Sequence, residues 1–170
     1  MKLEPSDNRS ATEPRSTLRK DASVIPWNKI NELHRRSGEL KLLGDFAGML
    51  PLREEAAELL ERHGAGKLQL ANCWNYIAYI NLQIGDLPAA EGAARRSIYL
   101  YQEHSAEKTE QLATYLWLLA MVLEKRARFA EALPYAEESV SLFARFHGRD
   151  DFVTSRRTDL ARLREKALQV

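Results

Sequence analysis

Residues 127–139 read ARFAEALPYAEES, and this stretch decides the fold because related stretches occur twice before it. Residues 44–56 read GDFAGMLPLREEA and share Phe, Ala, Leu, Pro and two Glu with it at matched positions. Residues 85–97 read GDLPAAEGAARRS and share the opening Gly-Asp with residues 44–56. The three stretches therefore start 41 and 42 residues apart. A fixed period of this length predicts an array of stacked, similar units.

The residues around each stretch have the apolar spacing of helices. Before the second stretch, isoleucines recur at intervals of three and four residues, namely Ile77, Ile80 and Ile84. Gly44 and Gly85 open the first two stretches, where a glycine permits the turn between two helices. The third stretch opens with Ala127, so its turn is expected to form without a positive φ. Each period is predicted to be a helical hairpin.

The second unit carries a family resemblance most fully. Its residues are Trp74, Ile77 and Ala78 in the first helix, Gly85 and Asp86 in the turn, and Ala90 and Ser97 in the second helix. They resemble the tetratricopeptide repeat family. The run 130–139 and the period of 41 to 42 residues resemble the longer repeats of the kinesin light chain type. The resemblance implies an all-α fold, a right-handed solenoid of about three helical hairpins closed by a C-terminal capping helix.

The repeat register also predicts the core. Small residues let neighbouring helices approach closely, and large residues fill the gaps between them. The expected core residues are Leu33, Leu40, Leu59, Trp74, Ile77, Ala78, Ala90, Leu116, Leu119, Ala120, Phe129, Ala132 and Leu160.

The chain is predicted to have two parts. Residues 1–27 are rich in Ser, Thr, Pro and charged residues, so they are expected to form a flexible N-terminal tail. A linear motif, or a segment that folds back through Trp27, is the alternative. Residues 28–170 form the predicted repeat domain. Its last helix, from about 151 to 168, is expected to cap the solenoid, with an open helix that dimerises as the alternative.

The amino-acid composition argues against several classes of function. Lys and Arg number 25 and Asp and Glu number 24, so the net charge of +1 gives no basic excess for nucleic-acid binding. The single cysteine cannot form an internal disulfide. The first residues lack the apolar core of a signal peptide, and no apolar run reaches the length of a membrane span. A cytoplasmic protein without a membrane contact is therefore expected.

No residue pattern predicts catalysis. The four histidines lack the spacing of a metal site, and Cys73 lies beside Trp74 in a predicted helix, where a buried, inert thiol is the expected state. The protein is therefore predicted not to be an enzyme and to need no metal and no cofactor.

The resemblance implies that the first helix of each unit lines a concave groove. Asparagine side chains in this groove would donate hydrogen bonds to, and accept them from, the backbone of an extended peptide. Tyr, Trp and Met would give adaptable apolar contact. For Trp117 and Met121, packing against the next unit is the alternative. The predicted groove residues are His34 in the first unit, Asn72, Asn75, Tyr79 and Gln83 in the second, Thr114, Trp117, Met121 and Glu124 in the third, and Arg156 in the last helix, with Asn31, Lys41 and Asp159 beside them.

The leading functional prediction is a scaffold or adaptor that holds a protein or peptide segment in this groove. One alternative is a dedicated chaperone, because secretion chaperones of similar size carry three such repeats. A second alternative is a self-associating module, with a homodimer formed through the repeat ends.

Overall fold

The computed structural model describes residues 24–147 and 150–169. Most of the predicted tail, residues 1–23, lies outside the described residues. The seven helices found in the described ranges are α1 (Trp27–Leu42), α2 (Phe46–Arg62), α3 (Lys67–Ile84), α4 (Leu87–His104), α5 (Glu110–Lys125), α6 (Phe129–His147) and α7 (Asp151–Leu168).

The helices form a linear stack. Each helix packs on the next one in the chain, and α3 also contacts α5. Three hairpins, α1–α2, α3–α4 and α5–α6, are followed by α7, and the described ranges contain no strand. This arrangement confirms the predicted all-helical repeat fold with one closing helix. None of the described helices is long and apolar enough to cross a bilayer.

The repeated Gly-Asp pairs have two structural roles. Gly44 and Gly85 have φ values of 73° and 86°, in the left-handed region that glycine adopts without strain. The aspartate that follows caps the next helix. The Asp45 carboxylate accepts a hydrogen bond from the backbone N–H of Gly48 at 2.8 Å, and Asp86 accepts one from Ala89 at 3.0 Å. Each pair thus ends one helix and starts the next.

Ala127 lies in the turn between α5 and α6, and here the sequence-based expectation is wrong. Its φ is 57°. Its N–H donates to the Glu124 carbonyl at 2.9 Å, and the N–H of Arg128 donates to the Leu123 carbonyl at 2.9 Å. The residue therefore ends α5 in the left-handed conformation that glycine favours. The packing of α5 on α6 imposes this conformation on an alanine, at a cost of about 1–2 kcal/mol.

Replacing Ala127 with glycine is therefore expected to raise the free energy of unfolding by about 0.5–1 kcal/mol, because the strain relieved exceeds the extra entropy that glycine loses on folding. A urea titration measures the change. The matched control is Gly85→Ala, which places an alanine in the equivalent turn and should lower the free energy of unfolding by about 1 kcal/mol. A loss of stability for Ala127→Gly would contradict the assigned φ.

The core forms where small residues bring the hairpins together. Nine predicted core residues are buried, namely Leu33, Ile77, Ala78, Ala90, Leu116, Leu119, Ala120, Ala132 and Leu160. Four predictions need correction. Leu59, Trp74 and Phe129 are only partly buried against the core. Leu40 is partly exposed because it lies in the last turn of α1, which packs mainly on α2.

Trp74 is only partly buried because charged residues surround its ring. The indole Nε1 donates to the Glu61 carboxylate at 3.3 Å, and the guanidinium of Arg96 lies 4.3 Å from the ring centroid. A ring that contacts charged groups lies at the boundary between core and solvent. Trp74 therefore joins α3 to α2 and α4 at the surface of the stack.

Candidate functional site

One side of the stack carries two adjoining cavities. The first, the α3–α5 cavity, has a volume of about 330 Å³. Its lining residues are Lys41, Asn75, Tyr76, Tyr79, Thr114, Trp117, Leu118, Met121 and Arg156. The second, the α5–α7 cavity, has a volume of about 530 Å³. Its lining residues are Trp117, Met121, Glu124, Lys125, Phe129, Arg156, Asp159, Arg162 and Lys166.

Three residues belong to both cavities. Trp117 and Met121 of α5 and Arg156 of α7 form the wall between them. The two cavities therefore adjoin along one side of α3, α5 and α7, and we call the pair the groove.

The structure brings together seven of the ten predicted groove residues. Six of them line the α3–α5 cavity, namely Asn75, Tyr79, Thr114, Trp117, Met121 and Arg156. Glu124 lines the α5–α7 cavity. Lys41 and Asp159, which were placed beside the predicted set, also lie on the lining.

The other three predicted residues lie outside both cavities. Asn72 is used within the fold, since its Oδ1 accepts hydrogen bonds from Tyr115 Oη and Gln111 Nε2, both at 2.6 Å. Gln83 is exposed near the end of α3. His34 is half-buried, and its Nε2 has no hydrogen-bond partner among the described residues.

Sequence reasoning missed several lining residues. Tyr76 and Leu118 line the α3–α5 cavity, and helical spacing could have found them. Tyr76 lies three residues before Tyr79, and Leu118 lies four residues after Thr114, so each pair shares a helix face. Phe129 starts α6 and was predicted only as a core residue. Its place at the α5–α7 cavity depends on how α6 and α7 pack.

Trp117 is packed within the fold and also lines both cavities. Its side chain is largely covered, with a relative exposure of 8%, and it still lines the groove. The guanidinium of Arg156 lies 4.5 Å from its ring centroid. Its Nε1 has no hydrogen-bond partner among the described residues. Trp117 thus contacts Arg156 of the closing helix and forms part of the groove wall.

Arg156 is the central cation of the groove. Besides Trp117 it contacts the ring of Phe152, at 5.0 Å, and its Nη1 lies 3.9 Å from Asp159 Oδ2. Burial lowers the pKa of Arg156, and the charge of Asp159 acts in the opposite direction. A guanidinium between two rings loses hydration, and the buried Nε of Arg156 has no hydrogen-bond partner among the described residues.

The two cavities differ in which charged side chains line them. The α3–α5 cavity is lined by two cations, Lys41 and Arg156, and by no carboxylate of the described residues. The α5–α7 cavity is lined by four cations and two carboxylates, and within it Lys166 Nζ lies 2.8 Å from Glu124 Oε1 and Arg162 contacts Asp159 at 3.0 Å. Both cavities therefore carry more cations than carboxylates, and among the described residues carboxylates line the α5–α7 cavity alone.

The described residues contain no group of three or more His, Cys, Asp and Glu that could hold a metal ion. Cys73 is buried, and this burial raises the pKa of its thiol to about 11. The neutral thiol donates to the Arg53 carbonyl, with 3.4 Å between sulfur and oxygen. Cys73 is therefore part of the packing of α3 on α2, as predicted.

Comparison with known proteins identifies the type of fold. No protein-family model matches this chain, and no curated protein matches its sequence. The chain is similar to a crystal structure of a kinesin-light-chain-type protein from Podosopora anserina with nearly identical TPR-like repeats. The TM-score is 0.72 at 13% identity, over 83% of this chain and 68% of that one. A variant of the same protein gives the same values. The chain thus has the tetratricopeptide-like helical-repeat fold that its own repeats predict.

Proposed function

We propose that this chain is a protein-interaction scaffold whose groove holds an extended segment of a partner protein. The observation that carries the proposal is that the two cavities of the groove adjoin, since Trp117, Met121 and Arg156 line both. One extended segment can therefore occupy both cavities by passing over the wall that these three side chains form. Residues 28–170 are proposed to act as one binding unit.

The chemistry of the lining supports a peptide ligand. The amide of Asn75 offers both donors and an acceptor, and its Oδ1 has no partner among the described residues. Thr114 is exposed and adds a hydroxyl. Tyr79 and Met121 are partly exposed and give adaptable apolar contact. The groove can therefore offer hydrogen bonds to the backbone amides of a bound segment and apolar contacts to its side chains.

Photocrosslinking identifies the partner first. A photoreactive amino acid at Thr114, an exposed groove position, is expected to capture the partner, and the same group at Gly92, exposed on α4, serves as the control. Capture of a second copy of this chain would favour the homodimer, and capture of an apolar secreted protein would favour the chaperone. Equal capture from both positions would contradict the groove.

The captured segment then gives a quantitative test. Tyr79→Ala is expected to weaken its affinity at least tenfold, or about 1.4 kcal/mol, because a groove tyrosine is a typical binding hot spot. The matched control is Tyr99→Ala, since Tyr99 is 58% exposed on α4 and lines neither cavity. Isothermal titration calorimetry measures both affinities. Similar losses for the two variants would show that the segment binds elsewhere.

A further inference from the structure

A third cavity lies outside the groove, beside the loop that joins α4 to α5. Its volume is about 380 Å³. Most of its lining comes from residues 101–111, while Leu68 comes from the first turn of α3 and Phe146 from the last turn of α6. It shares no lining residue with either cavity of the groove. We call it the loop cavity.

One part of the lining of the loop cavity is apolar. Tyr101 is buried, Leu68 is half-buried, and the large ring of Phe146 is 49% exposed. An exposed aromatic residue by itself is common on protein surfaces. Phe146 lines a cavity together with two further apolar side chains, so its ring can cover the apolar part of a bound group.

The neutral polar side chains of the lining are used within the fold. Tyr101 Oη lies 2.6 Å from Thr109 Oγ1, and Ser105 Oγ accepts a hydrogen bond from the backbone N–H of Glu107 at 3.0 Å. The side-chain Nε2 of Gln111 donates to one acceptor on α3 and to one on α5. These hydrogen bonds fix the walls of the cavity and leave its charged side chains to meet a ligand.

The charged side chains of the lining are two carboxylates. Glu107 and Glu110 are both exposed, and no lysine or arginine of the described residues lines the loop cavity. The remaining lining includes the imidazole of His104. Because both cavities of the groove carry more cations than carboxylates, the loop cavity has the opposite balance of charge.

The neighbouring cations leave these carboxylates available. Lys108 lies between them in the sequence, but its Nζ is 2.6 Å from Glu138 of α6 and it does not line the cavity. His147 Nε2 lies 2.7 Å from Oε1 of Glu110, so the second oxygen of that carboxylate remains open. A cation from another molecule would therefore find acceptors here beside an apolar surface.

We propose that the loop cavity is a second interaction site, which takes an arginine side chain of a partner protein. Arginine combines a charged head with an apolar stem, and the lining has both complementary parts. The stem contacts Leu68 and Phe146, while the guanidinium donates to the carboxylates of Glu107 and Glu110. A planar guanidinium fits better than an ammonium group, since it presents several donors in fixed directions and stacks on an aromatic ring.

A titration of the full chain with N-acetyl-arginine amide tests the site. The ¹H–¹⁵N resonances of the backbone amides of residues 105–111 are followed at constant ionic strength. A saturable shift is expected, with a Kd on the order of millimolar for a single side chain. N-acetyl-citrulline amide has nearly the same shape without the charge, and it should bind about tenfold more weakly or less. No saturable shift with the arginine compound, or equal binding of the two compounds, would overturn the site.

Two further observations in the same titration check the ligand and the place. N-acetyl-lysine amide should bind more weakly than the arginine compound, and tighter binding would overturn the preference for a guanidinium. The shifts should be confined to the loop cavity. Larger shifts at the amides of Asn75, Thr114 and Met121, which line the groove, would show that the arginine compound binds there instead.

Carboxylate variants locate the contact. Glu107→Gln keeps the size of the side chain and removes the charge, so it is expected to weaken binding of N-acetyl-arginine amide about fivefold. Glu103→Gln is the control, because Glu103 is exposed on α4 and does not line the cavity, and it should leave the Kd unchanged. Equal effects of the two variants would overturn a direct contact. If Glu107→Gln does not fold, the titration of the unmodified chain still decides.

Photocrosslinking then tests for a protein partner. A photoreactive amino acid at Ala106, which is exposed in the loop, is expected to capture a peptide that carries an arginine next to the crosslinked residue. Glu107→Gln should abolish this capture and leave capture from Thr114 in the groove unchanged. No capture from Ala106, a captured peptide without arginine, or capture that survives Glu107→Gln would overturn the protein partner. Because Thr114 reports on the groove separately, failure at the loop cavity is distinguishable from failure of the proposed function.

Discussion

Replacing Glu91 with alanine is expected to lower the free energy of unfolding by about 2–3 kcal/mol. Glu91 lies on α4, is 8% exposed, and contacts three arginines. Its carboxylate lies 2.9 Å from Arg95 and 2.7 Å from Arg128, and it also pairs with Arg126. Breaking a buried pair costs about 3–5 kcal/mol. We expect less here because the arginines are about one-third exposed and are screened by solvent.

The loss of stability caused by Glu91→Ala should depend on pH. Burial raises the pKa of Glu91, but hydrogen bonds from Arg95 and Arg128 outweigh this effect, so the pKa is lowered overall. A carboxyl whose folded-state pKa is depressed stabilises the fold above its unfolded-state pKa, near 4.5. That contribution is lost as the pH falls through the folded-state pKa. The difference between the unmodified chain and Glu91→Ala should therefore be large at neutral pH and small in strong acid.

Urea titrations at neutral and acidic pH measure this difference. Glu91→Gln retains the size and one acceptor, so an intermediate loss is expected at neutral pH. Glu58→Ala is the control, since Glu58 is exposed on α2 and surface substitutions of this kind usually change stability by less than about 0.5 kcal/mol. Equal losses for Glu58→Ala and Glu91→Ala would show that the buried ion cluster contributes nothing.

Replacing Ala90 with leucine is expected to lower the free energy of unfolding by about 1–3 kcal/mol, because extra methylene groups in a close-packed core force side chains and backbone to shift. Ala90 lies in the first turn of α4, has 0% exposure, and belongs to the core cluster. The helix pair α3–α4 is packed too closely there to admit a branched side chain. Chemical denaturation of the purified variant measures the loss.

Ala89→Leu is the matched control for Ala90→Leu. Ala89 is the adjacent residue of the same helix, and it is exposed. The same change in side chain should therefore alter stability by less than about 0.5 kcal/mol. If both variants unfolded at the same denaturant concentration as the unmodified chain, the assigned packing position of Ala90 in the repeat register would be incorrect.

The fold was predictable where local chemistry decides it. The Gly44-Asp45 and Gly85-Asp86 pairs specify a turn and a helix cap within a few residues. The period then aligns Ala90 with Ala132, and both are fully buried. The seven helices follow from these local signals and from apolar spacing. Ala127 shows the limit, because its φ is set by the packing of α5 on α6 and alanine itself carries no preference for that conformation.

The groove was predictable in part. Asn75, Tyr79 and Thr114 lie on first helices of the repeats, so the register alone assigns them to one side. Asn72 lies three residues before Asn75 on the same helix. Its side-chain Oδ1, however, accepts a hydrogen bond from Tyr115, which lies 43 residues later in the chain. No local pattern predicts which of two equivalent amides will be used within the fold. The part of the lining that comes from α6 and α7, such as Phe129, likewise depends on helix packing.

The arginine clusters were not predicted at all. Glu91 meets Arg126 and Arg128 across 35 and 37 residues, and Arg53 reaches Ser37 across 16. In the sequence these residues resemble ordinary surface charges on amphipathic helices. Only the register distinguishes Arg53, because it occupies an alanine position of the later units. A comparison of units position by position, including their small residues, would have identified it.

The shared wall of the two cavities makes them thermodynamically linked. Because Trp117, Met121 and Arg156 bound both spaces, a rotamer change of Met121 on one side alters the volume open on the other. A ligand that moves these side chains in one cavity changes the free energy of binding in the other, and the effect is reciprocal. Two short ligands would not bind as independent events. A single longer chain that spans the wall incurs the cost of rearranging these side chains only once.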